Sequence, residues 1–93
     1  MTLPATLYIA IGDFSGELGN LCDPGSFDDA CDAYADAMAK DTCSSATVFR
    51  MDMPKGDQAG MLVDVTDDAK ERIRCRMSLR DPMADAPEWL EAV

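Results

Sequence analysis

Residues 26–40 hold the strongest single constraint on how this chain folds, because their periodicity fits one element only. Phe27, Cys31, Tyr34 and Met38 recur at steps of four, three and four, the spacing of one face of an α-helix. Ser26 stands where an N-cap belongs, with Asp29 three residues on in a capping-box-like position. Asp28, Asp32 and Asp36 repeat every four residues off the apolar stripe. Like charges at that spacing destabilise an isolated helix by about 0.2–0.5 kcal/mol per pair. Asp28 and Asp29 complement the helix dipole in the first turn, and Asp36 can pair with Lys40. The stripe therefore reads both as a solvated face and as an anionic surface kept for contact. A lone amphipathic helix must bury its apolar side against another layer.

The flanking segments supply that layer as strands. Thr6 to Phe14 alternates, with Leu7, Ile9 and Ile11 on one face and Tyr8 and Ala10 on the other. Gly12 to Gly25 reads as a glycine-punctuated loop. Ala46 to Met53 places Thr47, Phe49, Met51 and Met53 on one face and Val48, Arg50 and Asp52 on the other. Pro54 to Gly60 has the composition of a hairpin loop. Beyond it Met61, Val63 and Val65 are expected inward, with Leu62 and Asp64 outward. Ile73, Cys75, Met77 and Leu79 then alternate with Arg72, Arg74, Arg76 and Arg80, the pattern of a strand. The competing reading makes Thr66 the N-cap of a helix that continues through Arg72. The alternation favours the strand. After the irregular stretch Asp81–Pro87, a short helical turn is expected over Glu88–Ala92, with Trp89 docking the tail on the domain.

These elements give an α+β fold of order β-α-β-β-β. Its four-stranded antiparallel sheet carries one helix on one face and ends in a short C-terminal helical turn. Residues 1–93 make a single domain, with a core over about 5–80 and a tail over 81–93. The remaining sheet face is expected to be a mosaic of Arg50, Asp52, Asp64 and the late arginines.

Charge narrows the function classes. The first forty-nine residues hold eight acids and one base, residues 50–80 hold six acids and seven bases, and residues 81–93 hold four acids and no base. The net charge is -10. Direct nucleic-acid binding is disfavoured, because attraction to phosphate supplies most of that affinity. A protein partner with a basic surface is favoured, since complementary fields steer encounter. The start of the chain has no basic n-region, and no apolar run reaches the ~18–20 residues of a membrane span. The expected location is cytoplasmic, with Cys22, Cys31, Cys43 and Cys75 reduced and mostly buried.

Little in the chain supports catalysis. Histidine is absent, which removes the commonest general base and the Ser-His and Cys-His arrangements. The Gly12–Gly19 loop follows a strand as phosphate loops do, yet it lacks the Gly-Lys-Ser/Thr ending, and Asp13 and Glu17 would repel phosphate. Asp64–Asp68 lacks the residue order of a calcium loop. The cysteines show no Cys-x-x-Cys pair of the kind zinc sites use. No enzyme activity, cofactor or metal is expected.

The small size, the acidity, the lack of catalytic groups and the predicted element order together resemble the small inhibitors carried by phages and mobile elements, above all anti-CRISPR proteins. The segments most similar to that layout are Ser26–Lys40 and Ala46–Arg50 through Asp64–Thr66. The resemblance implies binding to a CRISPR-Cas effector complex, at the basic surface meant for target DNA, with carboxylates standing in for phosphates. Asp28, Asp29, Asp32 and Asp36 are the candidate partner-binding residues, with Asp13, Glu17 and Asp23 beside them. The alternative is a small structural or assembly subunit, a homodimer or accessory protein associating through a sheet edge or the arginine-bearing face.

Overall fold

The computed structural model describes residues 6–54, 56–57, 59–83 and 85–91. Strand β1, Thr6–Phe14, runs into a two-residue turn in which Ser15 and Gly16 both take positive φ, 59° and 97°. That geometry matches the right-handed twist of a hairpin, and the Asp13 carboxylate caps it by accepting from the Gly16 N–H at 2.7 Å. The chain returns as β2, Glu17–Asn20, antiparallel to β1. Part of the expected 12–25 loop is therefore a strand.

Helix α1, Phe27–Ala39, follows. Ser26 is its N-cap, and the Ser26 hydroxyl accepts from the Asp29 N–H at 3.1 Å. Strand β3, Ser45–Asp52, pairs antiparallel with β1, and β4, Met61–Asp64, pairs antiparallel with β3. The sheet order is β2-β1-β3-β4. The fold is α+β with a four-stranded antiparallel sheet, and α1 packs on it. Lys55 and Gln58 of the expected hairpin loop lie outside the described residues. Met61, expected inward, is 61% exposed on its edge strand, whereas Val65 is buried.

The largest departure from expectation is the last predicted strand, which is helix α2, Thr66–Arg80. Ala69 and Ile73 are buried and Met77 packs beside them, a four-residue step that outweighs the period-two alternation. Cys75 is exposed and Leu79 is 87% exposed, so half of that alternation buries nothing. The stretch is also rich in good helix formers, with Asp67 and Asp68 in its first turn and Arg80 in its last. Its N-cap residue is Val65, not Thr66. Thr66 instead donates to the Asp64 carboxylate at 2.6 Å and accepts from the Val48 N–H at 3.1 Å, tying the helix start to the sheet. The element order is thus β-β-α-β-β-α-α.

The helices cover the small-residue face of the sheet. Ala10 and Val48 are wholly buried against Ala30, Cys31, Tyr34, Val65, Ala69 and Ile73, with Tyr8 and Ala46 partly buried at the margin. Gly12 shares that face, and a Cβ there would sit 3.0 Å from both Cys43 Sγ and Leu21 Cδ2. Small side chains let the helix layer approach closely. Arg50 and Asp52 lie on this same face, joined at 3.1 Å, so the expected arginine mosaic on the outer face does not form. The described residues end in α3, Glu88–Glu91; Ala92, expected to extend it, lies outside them. Leu90 is fully buried, Trp89 meets Tyr34 edge-on at 5.9 Å between ring centroids, and Arg74 donates to the Leu90 carbonyl at 2.7 Å.

Candidate functional site

The seven carboxylates singled out by sequence fall into three groups. Asp28, Asp32 and Asp36 line one side of α1, as their four-residue spacing requires. Asp23 and Asp29 flank Gly25 at the N-terminal end of α1, where the Asp29 carboxylate and the Asp23 backbone carbonyl each lie within 4 Å of the point at which a side chain on Gly25 would begin. Asp13 and Glu17 belong to the β1–β2 hairpin. Ser44, just past α1, donates through its N–H to the Asp13 carbonyl at 2.9 Å, so this third group lies at the far end of α1. A helix of 13 residues is about 20 Å long. Asp23 therefore does sit beside the helix acids, whereas Asp13 and Glu17 do not.

Helix α2 changes the character of the first group. The Asp28 carboxylate accepts from Arg72 Nε at 3.1 Å and lies 3.5 Å from Arg76 Nη2. Asp32 accepts from Arg76 Nη1 at 2.7 Å. Asp36 pairs with Lys40 at 2.9 Å. The Asp32 hydrogen bond raises the Arg76 pKa further above its ordinary value. These side chains are one-third to two-thirds exposed, so each pair contributes only about 0.2–1 kcal/mol. Arg72 and Arg76 are the residues that the strand reading missed as partners. Their signal was present as two bases four apart, matching two acids four apart on the other helix.

The other two groups remain anionic. Among the described residues, no ion pair reaches Asp13, Glu17, Asp23, Asp29, Asp41, Asp67 or Asp68. Asp41 joins Asp13 and Glu17 near the hairpin end, where Thr42, Cys43 and Ser44 line a shallow depression with Phe14 and Ser15.

Among the described residues no helix packs on the second face of the sheet, which is largely apolar. Register and alternation place Leu7, Ile9 and Ile11 of β1, Thr47, Phe49 and Met51 of β3, Leu18 of β2 and Leu62 of β4 on it. Leu18 is 77% and Leu62 59% exposed. Its only described carboxylates are Asp13 and Asp64, near opposite margins. The described bases lie elsewhere, on α2, at the end of α1 and on the helix-covered face of β3.

Chemically reactive groups are few. Burial pushes the Cys31 thiol up to about 11, and its Sγ points at the Ala69 carbonyl 4.0 Å away. Burial, aided by the charges of Asp64 and Asp67, also raises the Tyr34 phenol. Among the described residues no three metal-ligating side chains converge, and no helix is long and apolar enough to cross a membrane. Comparison with protein-family models, with curated proteins and with solved structures finds no match to this chain.

Proposed function

We propose that this protein is a non-enzymatic inhibitor that docks carboxylates on a basic protein surface. Following the resemblance noted above, we place that surface on the nucleic-acid-binding side of a CRISPR-Cas effector complex. The observation that supports this reading is the surplus of acids left after the helices have paired. With a net charge of -10, the ion pairs consume mainly the α1 stripe, and the carboxylates at both ends of α1 stay open. Asp23 and Asp29 at one end, and Asp13, Glu17 and Asp41 at the other, are the contacts this reading uses. Asp28, Asp32 and Asp36 act mainly within the fold.

The experiment is a competition assay with purified effector complexes and labelled target DNA. The expected result is loss of DNA binding on addition of the protein, weakening as salt rises, because exposed charges more than about 8–10 Å apart are screened at physiological ionic strength. A double variant, Asp23→Lys with Asp29→Lys, or its hairpin counterpart, Asp13→Lys with Glu17→Lys, should abolish competition while the protein stays folded. Full competition by both double variants would overturn the charge reading. Salt-resistant self-association with no effector binding would replace it with the assembly subunit.

A further inference from the structure

The open face of the sheet has a composition that the acidic ends do not explain. Ile9 is 5% exposed although it lies on the side away from the helices, so its neighbours Leu7, Ile11 and Phe49 already form a continuous apolar floor. Cross-strand register sets Leu7, Met51 and Leu62 in one row, with Ile9, Phe49 and Asp64 in the next. Ile11 and Thr47 follow with Asn20, then Asp13 with Leu18. The floor is apolar at its centre and carries carboxylates near two margins. Both are held in place: Asp64 accepts from the Thr66 N–H at 2.9 Å and Asp13 from the Gly16 N–H at 2.7 Å. Neither has a cation within ion-pair reach among the described residues.

We infer that this face is a docking surface for an amphipathic helix of a partner protein, with an apolar stripe flanked by Lys or Arg. The inference rests on the proposed function for its basic partner and adds the surface and the shape that meet it. Dimensions fit, because the floor is roughly 20 Å along the strands, the length of a helix of three to four turns. Charge selects the partner over a second copy. Two copies face to face would set Asp13 and Asp64 of one against a face that, among the described residues, offers no base to pair them. Area points the same way. Four short strands offer roughly 300 Å², so a symmetric dimer through this face would bury about 600 Å² in total, below the ~1,000 Å² of a specific interface. A basic partner longer than the floor can extend past Asp13 round the hairpin end toward Glu17 and Asp41 on the helix side, where a second acidic copy would be repelled.

The test uses a synthetic helical peptide of about 18 residues, with leucines at helical spacing and lysines flanking them. Its controls are a scrambled peptide of equal charge and an amphipathic peptide with glutamate flanks. Binding is read by fluorescence anisotropy, and the contact surface by NMR shifts of the Leu, Ile and Met methyls. The lysine-flanked peptide is expected to bind at least tenfold more tightly than either control and to shift Leu7, Ile9, Ile11, Met51 and Leu62. Leu62→Asp and Met51→Asp should each weaken it at least tenfold while the Trp89 fluorescence of the fold is retained. Equal binding of the scrambled peptide, or shifts confined to the helix side, would overturn the docking surface while leaving the charge reading to its own competition assay. Equal binding of the glutamate-flanked peptide would overturn the basic partner. Two further results would overturn the partner helix as occupant: a dimer that Leu62→Asp dissociates, or a tenfold gain in peptide binding on deleting residues 2–5.

Discussion

The Asp32–Arg76 contact offers a direct way to weigh the acidic stripe of α1 as structure. Arg76 lies 2.7 Å from Asp32 and 3.5 Å from Asp28, with its own side chain 34% exposed and Asp32 67% exposed. Exposed pairs of this kind contribute about 0.2–1 kcal/mol each, so Arg76→Ala, which removes both, is expected to cost about 1 kcal/mol. In a domain of this size that corresponds to a fall of roughly 4–8 °C in Tm. Asp32→Ala should cost less. It removes one pair, and it also relieves repulsion in a chain of net charge -10. The clean quantity is therefore the coupling from the double-mutant cycle, expected at about 0.5–1 kcal/mol. Urea unfolding followed by Trp89 fluorescence measures it, because Trp89 loses its contact with Tyr34 when the core opens. The coupling should fall in high salt. A coupling below about 0.2 kcal/mol, the floor for exposed pairs, would refute the account of α1 and α2 as an electrostatic zip. It would also return Asp28 and Asp32 to the set of surface carboxylates.

Other outcomes follow from the packing. Leu90→Ala should cost about 2–5 kcal/mol, the range for a fully buried leucine, read as a lowered urea midpoint. Gly12→Ala should cost about 1–3 kcal/mol, because its methyl would press on Cys43 and Leu21 at 3.0 Å; thermal unfolding measures it. Stability should decline above pH 9, since the native Cys31 thiol holds its proton up to about 11 and the unfolded thiol releases it near 9.0. The contribution is intact below pH 9 and is lost as pH rises toward 11. Cys31→Ala should flatten the decline in urea titrations, leaving the part due to Tyr34. In the folded state Cys75 should react first with a thiol reagent and Cys31 last, as their exposure dictates.

How much of this was legible in the sequence depended on whether local pattern and tertiary burial agreed. The first strand and α1 were legible because periodicity, capping and burial all coincide at Ser26, Cys31 and Tyr34. The α2 segment was misread because its apolar residues satisfy two periods at once. Ile73 and Met77 fit both a strand and a helix, and only the packing of Ala69 decides between them. Strand β2 was hidden by its brevity, although Ser15-Gly16 carried the turn signal. The face taken by the helices could not be told from alternation alone. Both faces of β1 are apolar, and close approach over Ala10 and Gly12 settled the choice. Of the candidate carboxylates, their exposure was readable. The pairing of Asp28 and Asp32 was not, because it depends on α2 being a helix.

The docking of α3 bears on the order in which the molecule can mature. Strands β1 to β4 and helix α1 are all contained within residues 6–64, so the sheet and its first cover can assemble from contiguous chain. Among the described residues, Tyr34 nevertheless takes its aromatic neighbour from Trp89, and the core takes its largest wholly buried aliphatic side chain from Leu90. A nascent chain that has not yet released those residues holds an unfinished core beneath a completed sheet. A proteolytic cut or a stop codon after Arg80 would leave the same unfinished state, so the stretch beyond α2 works as the closing piece of assembly.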